Sequence, residues 1–134
     1  MLPQYLNNKR AFTLVEIMVV VGIIAILASL AIPAIVRSKM QANDTFAKKA
    51  LKTLSTAAEW YSNQNSSTYP SDETALVNAA PPYLNQFFCT KTINGYSYGC
   101  TFQTSGYTLT ATPTQIGSSG TTTFTIVTGG ILTP

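Results

Sequence analysis

Few side chains in this sequence could do chemistry, and their placement says which kind. Glu16 is the single charge in the 26 residues from Ala11 to Val36, a stretch that is otherwise almost wholly apolar. A carboxylate at the centre of a membrane-spanning helix costs roughly 2.5–3.5 kcal/mol on insertion scales unless something neutralises it. Glu16 therefore needs a cation or a proton. The other carboxylates are Asp44, Glu59, Asp72 and Glu73, and the chain has no histidine. General acid–base catalysis has few candidates in such a set, so no catalytic residue is assigned and the chain reads as a non-enzyme. Asp72 and Glu73 suit the first turn of a short helix, where carboxylates are favoured, better than a metal site. No metal, cofactor or nucleic-acid partner is expected: no Gly-rich phosphate loop is present, and Lys91 alone makes no basic patch.

The element that positions Glu16 is the apolar run itself. Twenty-odd consecutive apolar residues suffice to cross a bilayer as a helix. Lys9 and Arg10 precede it, which places its start on the cytoplasmic side by the positive-inside rule. A secretory signal peptide has a shorter apolar core of about 7–15 residues. An ordinary single-pass anchor accounts for the orientation but not for the string Lys9-Arg-Ala-Phe-Thr-Leu-Val-Glu16.

That string resembles the processing motif of type IV pilins and pseudopilins. The resemblance implies that a prepilin peptidase removes the leader, residues 1–11, by cutting between Ala11 and Phe12, and that the new N-terminal Phe12 is methylated. It also supplies the cation: Glu16 would pair with the amine of Phe12 on a neighbouring subunit. The family usually carries glycine before the cut. Ala11 stands there in this chain, small enough for an extended backbone at a protease site. Pro33 falls near the end of the run, where family members commonly have a proline.

Composition bounds the remainder. The 134 residues allow one small domain beside the membrane segment. Charged residues are only 10% of the chain, and the net charge of +3 shrinks once Lys9 and Arg10 are removed, leaving six basic and five acidic residues. Such a polar, weakly charged surface suits the outside of a cell. There, Cys89 and Cys100 read as a disulfide. A redox or metal site is the alternative, against which stand the absence of histidine, the absence of a nearby acidic cluster and a spacing that is not CxxC.

From Phe12 to about Asn63 only Pro33 interrupts helical character, and a bend or local unwinding is expected near Ala28–Pro33. Ala47, Ala50, Leu51, Leu54, Ala57, Ala58 and Tyr61 recur at three- and four-residue steps, which marks one helix face. Phe46, Trp60 and Tyr61 read as packing residues rather than a cofactor site, and Arg37 and Lys39 as a solvated face. Ser71 is expected to cap a short helix running to about Asn78. Gly95–Phe102, Tyr107–Thr112 and Thr121–Thr128 alternate as strands, with Tyr107, Leu109, Ala111, Phe124 and Ile126 inward. The expected fold is α+β and type IV pilin-like: a long N-terminal helix, half transmembrane and half amphipathic, packed on a small antiparallel sheet of three or four strands with one disulfide.

The domain reading is a leader at 1–11, a transmembrane or filament-core helix at 12–36 and a globular domain at 37–134. The functional expectation is a structural subunit of a type IV pilus. It would wait as a single-pass protein of the cytoplasmic membrane, then join a helical homo-oligomer at the cell surface through an assembly platform in the membrane. The alternatives are a pseudopilin of a type II secretion or competence system, or a membrane-anchored binding module that never polymerises. Calcium-binding major pseudopilins need several oxygen ligands in their C-terminal loops, and no Asp or Glu follows Glu73, which argues against that branch.

Overall fold

A computed structural model describes residues 11–134. Lys9 and Arg10, and the leader apart from Ala11, lie outside the described residues. The chain divides into two compact units, one ending at Ile35 and one spanning Val36–Pro134. Helix α1, Leu14–Gln64, contributes to both.

In the first unit α1 is apolar on every side. Leu14, Ile24 and Leu30 are 75%, 58% and 72% exposed. Burial of apolar surface is favourable by about 25 cal/mol per Å², so these side chains belong against lipid or against other apolar helices. Among the described residues, α1 is the one helix long and apolar enough to cross a membrane. It continues without a break through Pro33, so the local unwinding expected near Ala28–Pro33 is not present. A proline removes one donor from the helix ladder, and the neighbouring turns keep their helical path around that single loss.

The second unit is built on the amphipathic half of α1. Its buried face is Ala47, Ala50, Leu51, Leu54, Ala57 and Ala58, joined by Asp44, Ser55 and Ser62. These are the residues that the three- and four-residue spacing predicts, with small polar groups at the margins. The helix ends where Ser66 and Ser67 turn left-handed, at φ 54° and 63°, and the Ser67 N–H reaches back to the Ser62 carbonyl at 2.9 Å. This closes a Schellman-type cap with serines in place of glycine.

Helix α2 is shorter than the sequence suggests, covering Thr74–Val77 only. Glu73, not Ser71, stands at its N-cap and its side chain makes no capping bond; Asp72 Oδ1 instead accepts the Ala75 N–H at 3.1 Å. Five strands follow: β1 Thr92–Ile93, β2 Tyr96–Gln103, β3 Gly106–Pro113, β4 Phe124–Val127 and β5 Ile131–Thr133. They form one sheet in the order β1-β2-β3-β4-β5, antiparallel throughout. Tyr96, Tyr98, Leu109 and Ile126 point inward and meet Leu51 and Leu54 in a single core. The inward set Tyr107, Leu109, Ala111, Phe124 and Ile126 is buried as the alternation requires. The two strands beyond expectation are the short edges. Asn94 and Gly95, at φ 50° and 75°, form the two-residue left-handed turn that pairs β1 with β2.

Candidate functional site

At the N-terminal end of the described chain, residues 11–13 precede the helix without regular structure. Phe12 is 82% exposed. Glu16 folds back on the helix start: its Oε2 accepts the Thr13 N–H and the Thr13 Oγ–H, each at 2.8 Å. The Glu16 N–H in turn donates to Thr13 Oγ1 at 3.2 Å. This is a reciprocal capping box, legible in the pattern Thr13-x-x-Glu16, and it adds a local role to the one expected of Glu16 as a charge that needs an amine. The two roles are compatible, because among the described residues only Oε2 is used in the cap.

The remaining carboxylates are spent inside the domain. Asp44 accepts the Tyr96 hydroxyl at 2.6 Å and the Thr121 amide at 3.1 Å, together with the Thr121 hydroxyl. Glu59 accepts the Tyr107 hydroxyl at 2.8 Å, the Tyr69 hydroxyl at 2.9 Å and the Gly129 amide at 2.8 Å. Burial works to raise both carboxyls, but donors outweigh it and hold them below the usual range. For Asp44 these are the Thr121 side chain, the Tyr96 hydroxyl and the Thr121 amide, aided by the charge of Lys48. For Glu59 they are the Tyr107 hydroxyl, the Gly129 amide and the Tyr69 hydroxyl. Burial, aided by the bond to Glu59 and its charge and opposed by the bond to Ser55, pushes the Tyr107 phenol up to about 12. Stable ionised acceptors surrounded by high-pKa phenols are suited to holding a fold, not to passing protons.

Glu73 is only 7% exposed, and its side chain does not cap α2. Its two oxygens accept the Phe88 N–H at 2.6 Å and the Cys89 N–H at 3.0 Å. It thereby anchors the start of the loop that the disulfide closes. Cys89 and Cys100 are bonded, with their Cα atoms 5.6 Å apart, which ties the segment before β1 to the middle of β2. Eleven positions separate the two cysteines, and closing a loop of that size contributes about 3 kcal/mol in the chain-entropy model. Reduction, or Cys89→Ser with Cys100→Ser, is expected to lower the urea-unfolding free energy by about that amount, read from tyrosine fluorescence.

Among the described residues no three His, Cys, Asp or Glu side chains gather as metal ligands. Phe46 and Tyr61 pack against the core as expected. Trp60 does not: it is 62% exposed, on the side of α1 turned away from the sheet, where helical spacing alone reads as packing. Arg37 and Lys39 are exposed.

The prokaryotic N-terminal methylation motif matches residues 6–32. The chain is 37% identical over 73 residues to the type IV wide pilus major component PilA4 of Thermus thermophilus, covering 54% of this chain and 55% of that protein. It is 43% identical over 70 residues to the type II secretion system core protein G of Pseudomonas aeruginosa, covering 52% and 49%. It is 46% identical over 50 residues to the type IV major pilin protein PilA of Myxococcus xanthus, covering 37% and 23%. The chain thus spans about half the length of the first curated relatives it matches. No solved structure gives a significant match. A methylation motif over the start of an apolar helix, the same helix packed on an antiparallel sheet with one disulfide, and likeness over about half their length to pilins and core protein G together make the chain similar to type IV pilins and pseudopilins.

Proposed function

We propose that this chain is a structural, non-catalytic subunit of a type IV pilus. The observation that carries the reading is the exposed apolar half of α1, which carries a carboxylate in its first turn and which nothing among the described residues covers. Before assembly, residues 12–36 lie in the cytoplasmic membrane and the domain formed by residues 37–134 faces outward. A prepilin peptidase cuts at Ala11–Phe12 and Phe12 is methylated. In the filament, apolar helices of neighbouring copies replace lipid, Glu16 pairs with the Phe12 amine of the next copy, and Pro33 is the point at which α1 adjusts to its neighbours. Head-to-tail contacts that do not close on themselves generate such a helical polymer.

Likeness to the core protein G of type II secretion favours a second reading, a pseudopilin whose polymer stays in the envelope. Intact mass decides between them. A species lacking residues 1–11, heavier by one methyl and lighter by two hydrogens, is expected in sheared extracellular material. The same species confined to the envelope would favour the pseudopilin, and full-length protein in membranes alone would overturn both.

A further inference from the structure

We propose that the outer side of α1 at Lys49 and Lys52 receives the Asp72 corner of a second copy of this chain, a contact that rests on the filament reading above. The charges are segregated. Arg37, Lys39, Lys48, Lys49 and Lys52 fall within 16 residues of α1, where Asp44 is the sole carboxylate. Asp44, Glu59 and Glu73 are each held by hydroxyls and amides, and none of those bonds comes from a lysine or arginine. Lys48 lies over the Phe124 ring, 4.7 Å from its centroid. Among the described residues Lys49 and Lys52 have no such engagement, and both are exposed.

Asp72 is the exposed carboxylate of the domain, and its cap to Ala75 uses Oδ1 alone. Each patch also carries an exposed aromatic. Lys52 shares a shallow groove of about 270 Å³ with Trp60 and Tyr83, and Trp60 is 62% exposed. Asp72 shares a cleft of about 570 Å³ with Phe87 and Lys91, and Phe87 is 37% exposed. In that cleft Lys91 lies over the Phe87 ring, 5.7 Å from its centroid, so the group offered to a cation there is the Asp72 carboxylate, and the group offered to a carboxylate on the other surface is the Lys49 and Lys52 pair beside Trp60.

The occupant follows from the charge balance. Without Lys9 and Arg10 the chain holds six basic and five acidic residues, so it is nearly neutral while its parts are not. Opposite patches on one near-neutral chain complement another copy, and such complementarity sets register and rejects wrong partners. Because the two patches differ, the contact is heterologous and propagates rather than closing a dimer.

The test uses full-length chains in membranes. D72N retains the oxygen that caps Ala75 and removes only the charge. It is expected to lower the yield of sheared filaments about tenfold, a step of 1.4 kcal/mol per contact. The swapped chain carrying D72K, K49D and K52D is expected to restore the yield. Differently tagged D72C and K52C chains, co-expressed, are expected to form a mixed disulfide dimer in excess of either like pair. This adduct is scored in whole membranes, so it decides the contact even if wild-type chains form no filament and the filament reading falls. Mixed dimers no more abundant than like pairs would overturn the contact. So would wild-type filament yield from D72N. Loss of binding to phosphatidylglycerol vesicles in K49D/K52D, without the mixed dimer, would assign the face to lipid and overturn it equally.

Discussion

Glu16→Gln is expected to abolish filaments while leaving the start of α1 intact. The substitution separates two roles that the structure superimposes on one carboxylate. Glutamine keeps an oxygen able to accept the Thr13 N–H and hydroxyl, and capping boxes accept Glu or Gln at this position. What it removes is the charge. If Glu16 pairs with the Phe12 amine of a neighbour in an apolar helix core, the loss strands a buried cation and costs about 3–5 kcal/mol per contact. That is about two to four orders of magnitude in each association step, at about 1.4 kcal/mol per tenfold, repeated along the polymer. Glu16→Ala loses the cap as well, a further ~1 kcal/mol, and should look no worse in an assembly assay that is already at zero. The measurement is filament yield by shearing and electron microscopy, with processed protein in membranes as the control. Normal filaments from the glutamine variant, with none from alanine, would reduce Glu16 to a capping residue.

Glu59→Ala is expected to be the most damaging single change in the domain. It removes the acceptor from the Tyr69 and Tyr107 hydroxyls and the Gly129 amide at once, uncoupling α1 from the loop after it, from β3 and from the turn into β5. Hydrogen bonds to a charged group are worth about 1.5–3 kcal/mol each. The site is half-buried, so water recovers part of that, and a net loss of about 3 kcal/mol is expected. Total stabilities run only to about 5–15 kcal/mol, and a loss of this size lowers the melting temperature by about 10–20 °C in a domain this small.

The same carboxylate, with Asp44, sets the acid limit of the fold. Both are held below their ordinary pKa in the folded state. Their contribution is complete above the unfolded values, about pH 4, and is lost as pH falls through the lower folded values. Glu59→Gln should start from a lower stability at pH 7 and lose less between pH 5 and pH 2 than the parent. Parallel acid profiles for the two proteins would show that Glu59 is not the titrating group.

Features whose causes lie within a few residues of one another were legible in the sequence. The apolar run from Ala11 to Val36 declares its solvent by composition, and the helix face from Ala47 to Ala58 declares itself by spacing. β2 and β3 follow from alternation, because side chains on a strand must point to opposite faces. The Thr13–Glu16 box was also present in the sequence, three residues apart, and so was the Asn94–Gly95 turn. Both are masked by a second signal on the same residues: Glu16 is the single charge of the apolar run, and Gly95 opens an alternating strand.

What tertiary structure alone decided involves partners far apart along the chain. Glu59 finds donors 10, 48 and 70 positions away, and Asp44 finds them 52 and 77 away. No local pattern encodes such pairings, since they depend on how the sheet is laid across the helix. Glu73 became a clamp on Phe88 and Cys89 rather than a cap because the chain doubles back there. Trp60 was left in solvent because the core closes on the opposite side of α1. Composition and periodicity determined what each segment must bury; only packing determined which buried donors each carboxylate would satisfy, and which aromatic would be left over.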